Sequence, residues 1–203
     1  PAPCGTSNLS LDWDFQLSTG AVTGCATAGV QWVDVWVGQD FADSFACADG
    51  GGTVWAPAGS VVTVEGIDAA GRIAYRDWVT APGGCGTHYA SVRPAEGTAN
   101  LFYDAPAGCT SSPCYLWFAV YDESAATWAA VIDQGSATSV KTSWQYPEDV
   151  VIRLAAGSYT LDWMELVGSS FAGEAMTCST TAFDVGAAAN TVVPTMLDSL
   201  CVP

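Results

Sequence analysis

Positive charge is what this chain lacks most. Its 203 residues include five lysines and arginines against twenty-one acids, a formal net charge of −16. Arg72, Arg76, Arg93, Arg153 and Lys141 are too scattered to line a phosphate-reading groove, so nucleic-acid binding is excluded. The same balance repels anionic lipid. No apolar run approaches the roughly eighteen residues of a transmembrane helix, so no membrane span is expected. Histidine is confined to His88, inside Gly84-Cys85-Gly86-Thr87-His88-Tyr89, which reads as a solvated loop. There is no Gly-x-Ser-x-Gly elbow, His-Glu-x-x-His helix or glycine-rich phosphate loop. Catalytic, cofactor-binding and metal-binding residues are therefore all expected to be none.

Acids, by contrast, are plentiful. Asp12, Asp14, Asp34, Glu65, Asp162 and Glu165 fall on expected strands, and a glycosidase needs only two suitably spaced carboxylates. With so many acids some pair always looks suitable, so solvated strand faces are the expectation and a secreted glycosidase ranks third among functions. Gln39-Asp40-Phe41-Ala42-Asp43 and Asp122-Glu123-Ser124 are oxygen-rich stretches, but no EF-hand spacing accompanies them.

Cysteine is abundant: Cys4, Cys25, Cys47, Cys85, Cys109, Cys114, Cys178 and Cys201 form an even set. No pair has the spacing that zinc sites favour, and such thiols persist as disulfides in an oxidising compartment. A secreted, extracellular or cell-surface location follows, and a start at Pro1-Ala2-Pro3 fits a cleaved leader. Cys25 with Cys47 is the first choice of pair, because a compact segment separates them. The rest stay open between Cys85–Cys109 with Cys178–Cys201 and Cys4–Cys85 with Cys114–Cys178.

Strand patterns fill the chain. Leu9 to Leu17 alternates apolar and polar without a break, and Val30–Val37, Val61–Asp68, Arg72–Val79, Tyr115–Tyr121, Val150–Leu154, Tyr159–Val167, Thr180–Val185 and Thr191–Leu197 are further strands. Gly71 marks a hairpin turn between two of them. No helix-period stripe stands out. The halves also echo each other. Ala58-Gly59-Ser60 and Ala156-Gly157-Ser158 each precede a strand, and Cys85 and Cys178 stand equally far before Val92 and Val185. This predicts an all-β protein of two tandem disulfide-stapled immunoglobulin-like or prealbumin-like β-sandwich domains, residues 1–107 and 108–203.

The segments Ala156-Gly157-Ser158-Tyr159-Thr160-Leu161 and Thr191-Val192-Val193-Pro194-Thr195-Met196-Leu197 resemble the prealbumin-like sandwiches, including carboxypeptidase-regulatory-like and collagen-adhesin B-type repeats of bacterial secreted surface proteins. The likeness covers about residues 56–109 and 154–201. It implies a stalk or spacer fold. The internal lysine–asparagine crosslink common in collagen-adhesin B domains is not available to the first domain, because the single lysine is Lys141.

Period two places Trp32, Asp34 and Trp36 on one face of their strand, with Val33, Val35 and Val37 on the other. Tyr115, Trp117 and Tyr121 form a comparable row. These rows suit packing between the two domains of the chain, a contact with another protein surface, or stacking on sugar rings. The second domain has no evident counterpart of the Leu9–Leu17 strand, which leaves a groove that Leu9, Leu11, Trp13, Phe15 and Leu17 of a neighbouring subunit could fill, building a filament. Pairing within its own domain is the preferred alternative. The expected function is a non-catalytic structural or adhesive surface protein, partnered by itself or another surface protein. A carbohydrate-binding module using the Trp32/Trp36 or Tyr115/Trp117 face is second.

Overall fold

The structure, a computed structural model, describes residues 6–104, 115–132, 150–167, 177–178 and 181–196. It is all-β there, apart from a four-residue helix α1 (Cys25–Ala28) and a 3-10 turn (Cys47–Asp49). Both are too short to leave an amphipathic stripe. The chain divides into two compact units. The first runs to Gly97 and also takes Arg153–Ala156 and Gly186–Ala189; the second begins at Thr98.

The first unit holds β1 (Thr6–Trp13), β2 (Phe15–Gln16), β3 (Val22–Thr23), β4 (Val30–Val37), β5 (Asp40–Ala46), β6 (Gly51–Pro57), β7 (Val61–Asp68), β8 (Ile73–Thr80) and β9 (Thr87–Val92). They form a three-stranded sheet β6-β1-β9, a four-stranded sheet β5-β4-β7-β8 and the small β2-β3 ribbon. One core joins the two larger sheets. Leu9, Leu11, Trp13, Val54 and Ala56 from the first meet Val33, Val35, Val62 and Val64 from the second. Burying each of the larger side chains stabilises the fold by about 1.5–3 kcal/mol. Alternation thus reads correctly in β1 and β4.

The expected Leu9–Leu17 strand breaks at Asp14. Beyond the break, Gln16 N–H donates to Pro94 O at 2.9 Å and Phe15 pairs with Thr23. Phe15 is fully buried and meets Tyr75 edge-to-face with centroids 5.2 Å apart. Gly66 leaves room for that pair, since a Cβ there would lie 2.7 Å from the Phe15 ring.

The remaining strands are β10 (Glu96–Asp104), β11 (Tyr115–Asp122), β12 (Thr127–Ile132), β13 (Val150–Ala155), β14 (Gly157–Val167), β15 (Thr177–Cys178), β16 (Thr181–Val185) and β17 (Asn190–Met196). One sheet has the order β13-β10-β17; in the other, β12-β11-β14 continues to β15, and β16 also pairs with β14. Buried Leu101 and Val193 come from the first of these sheets, and Val120, Leu161 and Val185 from the second. The order repeats that of the first unit, with β11 and β14 in the places of β4 and β7. In the smaller sheet β10 is central and parallel to β17, as β1 is central and parallel to β9. The place expected to be empty in the second half is therefore occupied by residues 98–104.

Two hairpin turns share one device. Asp68 Oδ1 accepts from the N–H of Ala70 (2.8 Å) and Arg72 (3.0 Å), next to Gly71 at φ 78°. Asp122 Oδ1 likewise accepts from Ser124 (3.0 Å) and Ala125 (3.1 Å). Such side chains hold a turn by satisfying backbone donors. Burial alone would raise the Asp68 pKa, but these bonds and the Arg72 guanidinium, 2.7 Å away, leave it below the usual carboxylate range. The two oxygen-rich stretches read differently in three dimensions: Asp122 serves its own turn, and Asp40 and Asp43 lie on β5.

The Cys25–Cys47 bridge is present. It ties the start of α1, just ahead of β4, to the turn that follows β5, and so fastens the open end of the β4–β5 hairpin. Cys85 is also disulfide-bonded. Cys4, Cys109, Cys114 and Cys201 lie outside the described residues, as does the side chain of Cys178.

Candidate functional site

The β4 row predicted from period two exists. Val33 and Val35 are fully buried, whereas Trp32 on the opposite face is 50% exposed. Sheet register adds neighbours that the strand alone does not show. Trp36 lies opposite Phe41 of β5 on one side and Thr63 of β7 on the other, and Thr63 lies opposite Trp78 of β8. Val61 shares this face, because Val62 and Val64 point into the core. Phe41 is 53%, Val61 48% and Trp78 43% exposed. The outer side of the four-stranded sheet thus carries exposed apolar side chains on either side of a polar row, Ser44, Asp34, Glu65 and Arg76.

Polar groups of that row are engaged. Trp36 Nε1–H donates to Glu65 Oε2 at 3.0 Å, and Arg76 Nε–H donates to Glu65 Oε1 at 2.8 Å. Asp34 Oδ1 accepts from the Ser44 hydroxyl at 2.6 Å. Trp36 and Phe41 meet edge-to-face, centroids 5.2 Å apart and planes at 76°. Glu65 was expected to be solvated with the other strand acids. It is instead 5% exposed, and Arg76 is 1% exposed. Both ions are taken out of water, which is tolerated only because they pair closely.

The second unit repeats the aromatic pair. Tyr121 of β11 meets Trp128 of β12 edge-to-face at 5.2 Å and 78°, and Trp128 is 47% exposed. Both pairs sit beside a register shift, between Val35 and Trp36 and between Val120 and Tyr121. Tyr115 and Trp117 lie on β11 opposite Val167 and Glu165 of β14. Their side chains lie outside the described residues.

Leu9, Leu11, Trp13 and Phe15, weighed above as groove fillers for a neighbouring subunit, are buried in their own unit, and Leu17 packs against them. β1 is paired on both sides, antiparallel to β6 and parallel to β9. Trp13 also donates its Nε1–H to Cys47 O at 3.3 Å. His88 is on β9 rather than in a loop; it is half-buried, and its Nε2 is enclosed without a hydrogen-bond partner. Among the described residues no three His, Cys, Asp or Glu side chains gather as a metal site, and no helix is long and apolar enough to cross a membrane.

Phe41, Val61 and Trp78 were missed in the sequence. Phe41 sits in a stretch with no clean alternation, but the Gly71 hairpin register would have placed Trp78 opposite Thr63.

Tyr75 supplies a pH probe of this unit. Its hydroxyl is 3.3 Å from Ala28 O, to which it donates. Burial, then the charge of Glu96, pushes its pKa up to about 12, against the opposing pull of Arg153. A raised folded-state value means stability that is complete below the unfolded value of about 10 and lost as pH climbs toward 12. Ultraviolet titration should show a tyrosine ionising near that upper value, and Tyr75→Phe should remove that step. A titration in which all tyrosines ionise near pH 10 would contradict this.

An all-β protein of two sandwich units, the first stapled by the Cys25–Cys47 bridge, is the class that this fold defines. No protein-family model and no curated protein matches the sequence. Among solved structures, the chain is similar to the Bacillus anthracis TIE protein at 12% identity and TM-score 0.35, covering 95% of this chain and 33% of that one. The Streptococcal ancillary pilin matches at 15% identity and TM-score 0.34, over 95% and 62%. The shaft pilin SpaA from Lactobacillus rhamnosus GG matches at 11% identity and TM-score 0.29, over 98% and 100%. The chain spans a third of the TIE protein and under two thirds of the ancillary pilin. These are distant similarities to bacterial pilin and surface proteins.

Proposed function

We propose that this chain is a non-catalytic structural or adhesive protein of an extracellular surface, and that it contacts copies of itself or another surface protein through the outer face of β5-β4-β7-β8. One observation carries the reading. Trp32, Phe41, Val61 and Trp78 are all more than two-fifths exposed on a single sheet face. Large apolar side chains gathered on one exposed face mark protein interfaces, and tryptophan is enriched there. The bridged cysteines and the strongly acidic balance support an oxidising, extracellular setting. The low TM-scores leave the pilin likeness outside the argument. Sugar stacking on the Trp32–Trp36 row is less favoured, because Asp34 and the Trp36 N–H already have partners within the protein.

Mass measurement and electron microscopy of oxidised protein over a wide concentration range, alone and with candidate surface proteins, provide the test. Assembly or complex formation is expected, weakened at least tenfold by Trp32→Ser with Trp78→Ser. Protein that stays monomeric and partnerless throughout, or assembly indifferent to both substitutions, would overturn the proposal.

A further inference from the structure

The opposite side of the first unit has a different chemistry. On the outer face of β6-β1-β9, register sets Trp55 beside Asn8 and Thr87, Thr53 beside Ser10 and Tyr89, and Gly51 beside Asp12 and Ser91. Alternation confirms the direction, since Leu9, Leu11, Val54 and Ala56 are buried on the inner side. Tyr89 is 81% and Trp55 70% exposed, the highest values among the exposed large apolar side chains of the described residues. Neither ring contributes to the core, and among the described residues neither stacks on another ring.

Packing gives these rings no role in the fold. They stand on the two strands flanking β1, offset by two residues. Strand spacing and rise put their Cα atoms roughly 12 Å apart. Between them the floor is polar. Among the described residues the hydroxyls of Ser10, Thr53 and Thr87 have no hydrogen-bond partner, and Asn8 Oδ1 is enclosed without one. These hydroxyls face solvent and can exchange water for the hydroxyls of a ligand. On the four-stranded sheet, by contrast, Asp34, Glu65 and the Trp36 N–H already have partners within the protein.

We infer that this face binds a neutral oligosaccharide, with Trp55 and Tyr89 stacking on sugar rings and the hydroxyl floor between them bonding to sugar hydroxyls. An aromatic face attracts the slightly positive C–H groups of a pyranose, because its quadrupole is negative there. Hydroxyl and amide groups both donate and accept, as sugar hydroxyls do. Charge decides the class of sugar. The face carries no cation, its one charged residue is Asp12, which accepts from Ser91, and the chain is at −16. An acidic glycan would be repelled. Serine is depleted at protein interfaces, whereas hydroxyls make up this floor. The inference deepens the adhesive reading by naming a ligand, and it uses a different face from the one proposed for protein contact.

The full oxidised chain should be screened against immobilised neutral and acidic oligosaccharides, beside Trp55→Ala, Tyr89→Ala and, on the other face, Trp78→Ala. Binding to a neutral glycan is expected, at least tenfold weaker in Trp55→Ala and in Tyr89→Ala and unchanged in Trp78→Ala. All three side chains are exposed, and an unchanged thermal midpoint will show that folding is intact. No neutral binder, a requirement for an acidic sugar, or binding that survives loss of both rings would overturn the inference. A protein captured through Trp55 and Tyr89 in place of glycan would also overturn it. Loss of assembly with glycan binding retained would count against the protein-contact reading alone. The reverse result would count against this one alone.

Discussion

Arg76→Met is expected to cost the first unit about 3–5 kcal/mol, the largest loss from any single side chain discussed above. The guanidinium is nearly inaccessible and its Nε–H donates to Glu65 at 2.8 Å. Removing it leaves a carboxylate out of water with its principal counter-charge gone. Attraction between the ions does not itself stabilise the fold by that amount, because both were desolvated to form the pair. Replacing both partners should therefore cost less than replacing one. Denaturant unfolding of Arg76→Met, Glu65→Leu and the double variant measures this as a coupling energy. Strict additivity of the two single losses would show that the pair does not act as a unit. Fluorescence gives a second readout, since Glu65 also accepts the Trp36 N–H and its loss should free that indole.

Removing the Cys25–Cys47 bridge as Cys25→Ala with Cys47→Ala should cost about 3 kcal/mol, the amount expected for a loop of this separation of 22 residues. The effect should be local first. β5 pairs with β4 on one side only, and five of its seven residues are exposed, so little burial holds it. The bridge supplies at the hairpin's open end what packing does not supply along its length. Amide exchange should accelerate in Asp40–Ala46 before it does in β7, and the unfolding midpoint should fall. Reductant should bring the natural protein down at least as far, because Cys85 is bridged too. A midpoint that does not move in the double variant would show that the edge strand is held by its ladder alone.

These two predictions differ in how readily the sequence announces them. Cys25 and Cys47 enclose a short segment, so their pairing is a local matter. Glu65 and Arg76 look like ordinary strand polar residues, each beside apolar neighbours on an alternating strand. Their burial depends on what covers one face of a four-stranded sheet, and period two says only which face a residue takes. Trp55 and Tyr89 are a similar case. They lie on β6 and β9, which lack a clear strand pattern, and only the placement of β1 between those strands brings both rings to one surface. Residues 98–104 read as the last strand of a first domain. In the structure they take the central position in the second unit's smaller sheet, because long-range pairing with β17, not chain proximity, decides membership.

Local properties were settled by the residue order alone: the inward Leu9, Leu11 and Trp13, the inward valines of β4, the turn at Gly71 and the Cys25–Cys47 pair. Each depends on neighbours within a strand or a hairpin. Tertiary structure alone decided which strands lie side by side, which ions leave water and which aromatic rings share a face. Those outcomes depend on register between segments far apart in the chain, and shifting a strand by one residue would turn every side chain on it to the opposite face.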